Sequence, residues 1–335
     1  MNKLTRIVCA VGGLTVLSVV CASPAHAQAI ITNGSGIYLG VDLLGQLNIP
    51  DGTGGVTVTP TNSSFVGLYS SAIDGDGTSP GCLCEGFGIA ANGEAAYADN
   101  ATGIVNLTSV SFASTASTAT TVAEMTSEAG FTVTHQFQPS LSPALMEVIV
   151  TLTNDTGGTL TDVRYNRTMD WDIPPTTFSE LVTIAGWPAT ALLDSCNDGF
   201  ETPNPLSDCS SIVGAPEDAN FTDWGPADHG ARFTFGFDDL DPGETFSFKI
   251  FYGAAPTELL ALAALGVVGA EVYSFGQCNP ASTACGSLGD PMTFIFGFAG
   301  VGGTPVGTIP EPGTLALFGS GLAGAIARRY RRRKA

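Results

Sequence analysis

The sequence predicts an all-β fold, a large antiparallel β-sandwich with one short helix, flanked by an apolar helical segment at each end. Three observations predict it. Apolar and polar residues alternate over many short runs, the period of a half-buried strand. Clusters of Asn, Asp, Gly and Pro separate the runs, as turns do between strands. The region between the apolar ends is rich in Gly, Thr, Ser and Val, and Thr and Val suit a pleated surface while Gly and Ser suit its turns.

The clearest runs follow in chain order. Phe131, Val133, His135 and Phe137 share one face of an extended segment, with Thr132, Thr134 and Gln136 on the other. Met146, Val148, Val150 and Leu152 make the next apolar face, and the stretch from Asn154 to Gly158 reads as a turn. Val163, Tyr165, Met169, Trp171 and Ile173 share a face of one long strand. Phe233, Phe235 and Phe237 alternate, Asp241-Pro242-Gly243 turns the chain, and Phe246, Phe248, Ile250 and Tyr252 alternate back. Phe294, Phe296 and Phe298 form the last run. Two such faces packed together make a sandwich. A helix is expected over 256–268, where Pro256 suits the first turn, Glu258 complements the N-terminal dipole, and Leu259, Leu262 and Leu265 recur at helical spacing. Residues 50–64 and 197–220 read as long loops. No repeat or sharp compositional break divides the body, so one domain is expected over 28–305, the alternative being a split between Pro139 and Pro143.

The two ends read differently. Lys3 and Arg6 precede an apolar stretch over 7–20, and Ala25-His26-Ala27 fits an A-x-A cleavage site. Residues 1–27 are therefore expected to be a secretory signal helix, removed after Ala27. In the tail, residues 306–335, Pro310-Glu311-Pro312 precedes fifteen uncharged residues, and a basic cluster from Arg328 and Arg329 to Lys334 follows. A bilayer core takes roughly twenty apolar helical residues, so this transmembrane-like helix is short for a permanent span. Its basic end favours the cytoplasmic side. The expectation is transient anchoring in the inner membrane, with an ordinary uncut anchor as the competing reading. The order of Pro-Glu-Pro, apolar stretch and terminal Arg cluster resembles the PEP-CTERM sorting signal of exosortase substrates. The resemblance implies an exosortase as processing partner and cleavage near Pro310, Glu311 and Pro312. It further implies a Gram-negative host with an exopolysaccharide system, and secretion to the envelope surface or extracellular matrix.

Charge narrows the partners. The body keeps four basic residues, Arg164, Arg167, Arg232 and Lys249, against thirty acidic ones, a formal charge near −26. Such a surface repels nucleic acid and anionic lipid. It also disfavours tight contact with a strongly anionic polysaccharide unless a divalent metal bridges the two. Cys9 and Cys21 leave with the signal, and six cysteines remain. An even number in an exported chain predicts disulfides. Cys196–Cys209 and Cys278–Cys285 would close short loops, leaving Cys82 and Cys84 to each other or to partners that break this scheme. Zinc is the competing reading. No C-x-x-C occurs, and His135 and His229 have no ligand spacing to the cysteines.

Three stretches carry candidate chemistry. Asp74, Asp76, Thr78 and Glu85 stand at positions 1, 3, 5 and 12 of a calcium loop, so calcium is the cofactor the sequence suggests. Ser79 replaces the glycine that such a loop needs, and Pro80, Cys82 and Cys84 interrupt it, which favours a solvated turn. Asp170 and Asp172 share one face of an extended strand with Arg164 and Asn166. Paired carboxylates beside an aromatic serve acid–base work on sugars, or bind calcium. The bland alternative is a polar strand face on which Arg164 pairs the acids. Arg167 falls on the apolar face beside Tyr165 and Met169, and a buried Arg demands a carboxylate partner. No H-E-x-x-H accompanies Asp228-His229. His229 is therefore expected in a loop, and His135 as a satisfied core histidine. Trp187 and Trp224, in loop-like contexts, are candidate sugar-stacking residues, whereas Trp171 lies on the buried face. The expected function is that of an exported, non-enzymatic surface or matrix protein in contact with exopolysaccharide. The alternatives are a carbohydrate-active enzyme using Asp170 or Asp172, and a calcium-stabilised adhesin.

Overall fold

The computed structural model describes residues 28–100, 103–285 and 291–307. The expected signal helix, with Ala25 and Ala27, and the expected tail helix lie outside them. Within the described residues the architecture is antiparallel β-sheet. One sheet has nine strands, in spatial order Leu107–Ser114, Ala119–Met125, Phe131–Pro139, Leu145–Asn154, Thr245–Ala255, Thr293–Ala299, Val272–Cys278, Glu180–Ala185 and Phe221–Ala227. A second has six, in the order Leu192–Cys196, His229–Phe237, Val163–Trp171, Glu85–Ala91, Glu94–Asp99 and Gly103–Val105.

Register explains why these sheets face each other. Val148 pairs with Ile250, Val150 with Phe248 and Leu152 with Phe246, so one apolar face runs across both strands. In the six-stranded sheet Tyr165 lies between Phe235 and Ile89, and Met169 between Ala231 and Glu85. The two apolar faces meet through aromatic rings, Tyr165 on Phe248 at 5.0 Å, Phe233 on Phe296 at 5.7 Å and Phe235 on Phe298 at 4.7 Å. Offset and edge contacts of this kind favour aromatic pairs beyond the area they bury. A four-stranded sheet, starting with Ala29–Thr32 and Ile37–Val41, adds Ile31, Leu39, Val41 and Leu68 to the same core.

The helix, Glu258–Val268, starts two residues later than expected. Thr257 is extended and its side chain accepts the Leu260 N–H, so Thr257 is the cap and Pro256 lies before it. Gly269 ends the helix in the left-handed region at φ 66°. The buried side also differs from the expected leucine stripe. Leu259 and Leu260 are exposed, and Ala261, Ala264 and Leu265 pack on Phe251, Phe275 and Ile295 on the outer face of the nine-stranded sheet. Small residues let the helix lie close. The strand Thr293–Ala299 is consequently covered on both faces.

One hairpin escaped the sequence reading. Glu85–Ala91 and Glu94–Asp99 pair through Ala91 and Glu94, with Asn92 at φ 55° and Gly93 at φ 80° between them. Asn-Gly with two positive φ values is the signature of a tight two-residue hairpin turn.

The hairpin supplies the partner that Arg167 demanded. Arg167 is wholly buried and bonded to Glu85, itself wholly buried. It also donates to Gly45 O at 3.0 Å and to Tyr165 Oη at 3.4 Å, and lies 5.7 Å from the ring centres of Phe87 and Tyr252. Glu85 Oε2 accepts the Leu47 N–H at 2.7 Å. Burial pushes the Glu85 carboxyl up to about 7, against the opposing pull of Arg167. His135 is a buried core histidine, 3.0 Å from Tyr165 Oη through Nε2. Arg167→Met, which strands a buried carboxylate, is expected to cost about 3–5 kcal/mol in urea unfolding. Arg167→Met with Glu85→Leu should recover most of that loss, and a single variant as stable as the parent would show that the pair does not hold the core.

Candidate functional site

Asp170 and Asp172 lie at the end of the central strand of the six-stranded sheet, flanking Trp171, whose ring is in the core. Alternation therefore turns both carboxyls away from the core. The segment before Glu85 runs beside them, with Asp170 N donating to Cys84 O at 3.1 Å and Asp172 N to Gly77 O at 2.8 Å. On the other flank the chain over 197–220 closes against the strand. A Cβ at Gly199 would lie 2.6 Å from Asp170 Cα, so only glycine permits this approach.

That loop is held down from beneath. Arg232, wholly buried, donates to Thr202 O at 3.2 Å, Asn204 O at 2.9 Å and Ser207 O at 2.7 Å, and pairs with Asp194 at 3.2 Å. The Cys196–Cys209 disulfide closes the loop, with Cα atoms 5.9 Å apart. Cys278–Cys285 and Cys82–Cys84 are also joined, at Cα separations of 5.8 and 5.2 Å. Cys82 Sγ lies 3.7 Å from Asp170 Oδ2.

An acidic cluster lies where these segments meet. Carboxylate oxygens of Asp170, Asp172 and Asp228 lie within 4.8 Å of one another, and among the described residues no other three His, Cys, Asp or Glu side chains do so. Asp170 is 1% exposed and Asp172 0%, while Asp228 is exposed and opens the cluster to solvent. Glu180, also 0% exposed, accepts the His229 N–H through Oε1 at 3.0 Å. Its Oε2 has no partner, nor has Asp170 Oδ1, nor either oxygen of Asp172. Burial pushes Asp170, Asp172 and Glu180 each up to about 9, and repulsion adds to it. Asp170 is repelled by Asp172 and Asp228, Asp172 by Glu180 and Asp228, and Glu180 by Asp170 and Asp228.

No cation of the described chain reaches them. Arg164 binds Asp162 at 2.8 Å, Arg167 binds Glu85, Arg232 binds Asp194 and Lys249 binds Glu147 at 2.9 Å. The expected Arg164 pairing thus stops at Asp162, at the far end of the strand. His229 is not in a loop. It opens the strand His229–Phe237, wholly buried, with Asn197 donating to Nδ1 at 2.8 Å and Nε2 donating to Glu180 O at 3.2 Å. Burial lowers it to about 4, so the ring is neutral and both nitrogens are engaged.

The first expected calcium set is not brought together. Asp74 lies on an exposed turn and accepts from Tyr69 Oη at 3.0 Å. Asp76 is buried and accepts backbone N–H groups of Gly67, Leu68, Thr78 and Ser79 at 2.8–3.3 Å. The Thr78 hydroxyl donates to Asn48 Oδ1 at 3.1 Å. Glu85 is held by Arg167 and Leu47. The core cation and the turn amides have taken the oxygens that a calcium ion would need. Trp187 and Trp224 are half-buried, Trp187 against the core and Trp224 on Phe221 at 6.0 Å, with Trp224 Nε1 donating to Val213 O at 3.1 Å. Pro310, Glu311, Pro312, Arg328 and Arg329 lie outside the described residues.

The acidic cluster fixes the sign of a pH dependence. The folded chain keeps protons on Asp170, Asp172 and Glu180 up to about 9, whereas the unfolded chain releases them near 3.8 and 4.5. Their contribution to stability is therefore full below pH 3.8 and lost as pH rises through about 9. In a cation-free buffer the melting temperature is expected to fall between pH 5 and 9, and Asp172→Asn to flatten the slope. A flat profile in the parent chain would contradict the burial of these acids.

A family model described as the PEP-CTERM protein-sorting motif matches residues 308–333. None of the curated proteins matches the chain. Among solved structures, a galactose mutarotase related enzyme from Lactobacillus acidophilus is similar at 11% identity and a TM-score of 0.33, over 82% of this chain and 86% of that one. A likeness at that level carries no argument about chemistry. The tail carries the PEP-CTERM motif, which marks an exported chain sorted by an exosortase to the cell surface or beyond it.

Proposed function

We propose that the processed chain works outside the inner membrane as a non-enzymatic surface or matrix protein, by contact with exopolysaccharide. The observation that carries the contact reading is the closure over Asp170 and Asp172. A general acid must touch its substrate, and these two carboxyls are 1% and 0% exposed, Asp170 against Gly199 of the disulfide-closed loop and Asp172 against the chain at Gly77 and Gly81. A separate pocket, bordered by Thr61, Ile73, Pro174, Pro175 and Met292, has no titratable side chain in its lining. The charge near −26 supports contact with neutral glycan, or with acidic glycan through a bridging divalent ion.

Co-sedimentation of the secreted protein with the host's own exopolysaccharide, with calcium and with chelator, tests this reading. Binding without new reducing ends is expected. New reducing ends that vanish in Asp170→Asn with Asp172→Asn would make the chain an enzyme instead, and the absence of both binding and products would sink every sugar role. For the tail, replacing Pro310, Glu311 and Pro312 by Ala is expected to leave an uncut precursor in the membrane fraction, seen on a gel as a larger band. Unaltered processing would place the cut elsewhere.

A further inference from the structure

We propose that Asp170, Asp172 and Asp228, with Glu180 beside them, bind one divalent hard cation of the calcium class. The proximity of three carboxylates is not the whole case. Asp172, wholly buried, has neither oxygen satisfied, and Asp170 Oδ1 is unpartnered as well. Glu180, outside the three-carboxylate group, is wholly buried and leaves Oε2 without a partner while repelling Asp172. A buried polar atom without a partner calls for one, and three acids here, Asp170, Asp172 and Glu180, await a partner.

Donor chemistry selects the ion. Every unsatisfied donor in the cluster is a carboxylate oxygen. The nearest imidazole, His229, has both nitrogens engaged, and Cys82 and Cys84 are joined to each other. Zinc and copper prefer nitrogen and sulfur, so they are disfavoured. Magnesium keeps several waters and takes one or two carboxylates, whereas calcium accepts many protein oxygens in flexible geometry. Exposed Asp228 gives the ion its way in.

The ion would act as a clamp. Asp170 belongs to the six-stranded sheet and Asp228 follows Phe221–Ala227 of the nine-stranded one, so shared coordination ties the two sheets at this end. Carboxylates bind a cation in their ionised form, which makes affinity rise with pH. The site does not depend on the tail being cut.

The test uses the purified full-length chain at pH 8, stripped with chelator and titrated with calcium, magnesium or zinc. One calcium per chain is expected by calorimetry. The melting temperature should rise by about 5 °C or more when calcium exceeds its dissociation constant about 100-fold. Terbium in place of calcium should give emission sensitised by Trp171. Asp172→Asn should abolish the calcium response while melting, without calcium, at or above the parent. Asp228→Asn should weaken binding at least about tenfold, and Asp74→Asn should change nothing. A parent chain that neither binds calcium nor shifts its melting temperature, or whose response persists in both Asp172→Asn and Asp228→Asn, overturns the site. A midpoint that follows pH but ignores calcium would mean that protons alone neutralise the cluster.

Discussion

Shortage of positive charge is the constraint on which this structure turns. Four cations serve thirty acids in the body, and each cation is bound to a particular acid. Arg167 ties the central strand to its neighbour through Glu85 and reaches Gly45, while Glu85 takes the Leu47 amide, so the N-terminal segment is fastened to the core at one charged centre. Arg232 anchors the loop that follows Cys196. Lys249 and Glu147 join adjacent strands. Buried charge is costly unless paired and hydrogen-bonded. With every cation engaged, the acids at 170, 172 and 180 have two ways to lose their charge, by protonation or by an ion from outside.

What the sequence made legible was whatever one strand decides alone. The inward faces at Phe131–Phe137, Met146–Leu152 and Phe233–Phe237 follow from a two-residue period, and they are the faces that meet in the core. The demand of Arg167 for an acid was equally local. The identity of that acid was not, because Glu85 is 82 residues away and arrives only when the hairpin pairs with the central strand. The hairpin itself carries a local Asn-Gly turn signal at Asn92 and Gly93.

Burial of Asp170 and Asp172 could not be read from pattern. Both fall on the polar phase of their strand, which normally faces water. Asp170 is covered where the loop over 197–220 packs on it and Asp172 where the chain at Gly77 and Gly81 does, and a loop's docking depends on distant anchors, here Arg232, the Cys196–Cys209 bond and the glycine at 199. The helix illustrates the same limit. Its existence was legible, but the side chosen for burial followed the close fit of Ala261 and Ala264 to the sheet, not the count of leucines.

Loop and cluster also share a setting. The loop over Asp170 is closed by a disulfide, and disulfides persist only in an oxidising compartment. The sorting motif sends the chain to such a compartment. Calcium modules outside cells work with dissociation constants on the order of 10⁻⁴–10⁻³ M, so an outward-facing site needs no great affinity to be filled.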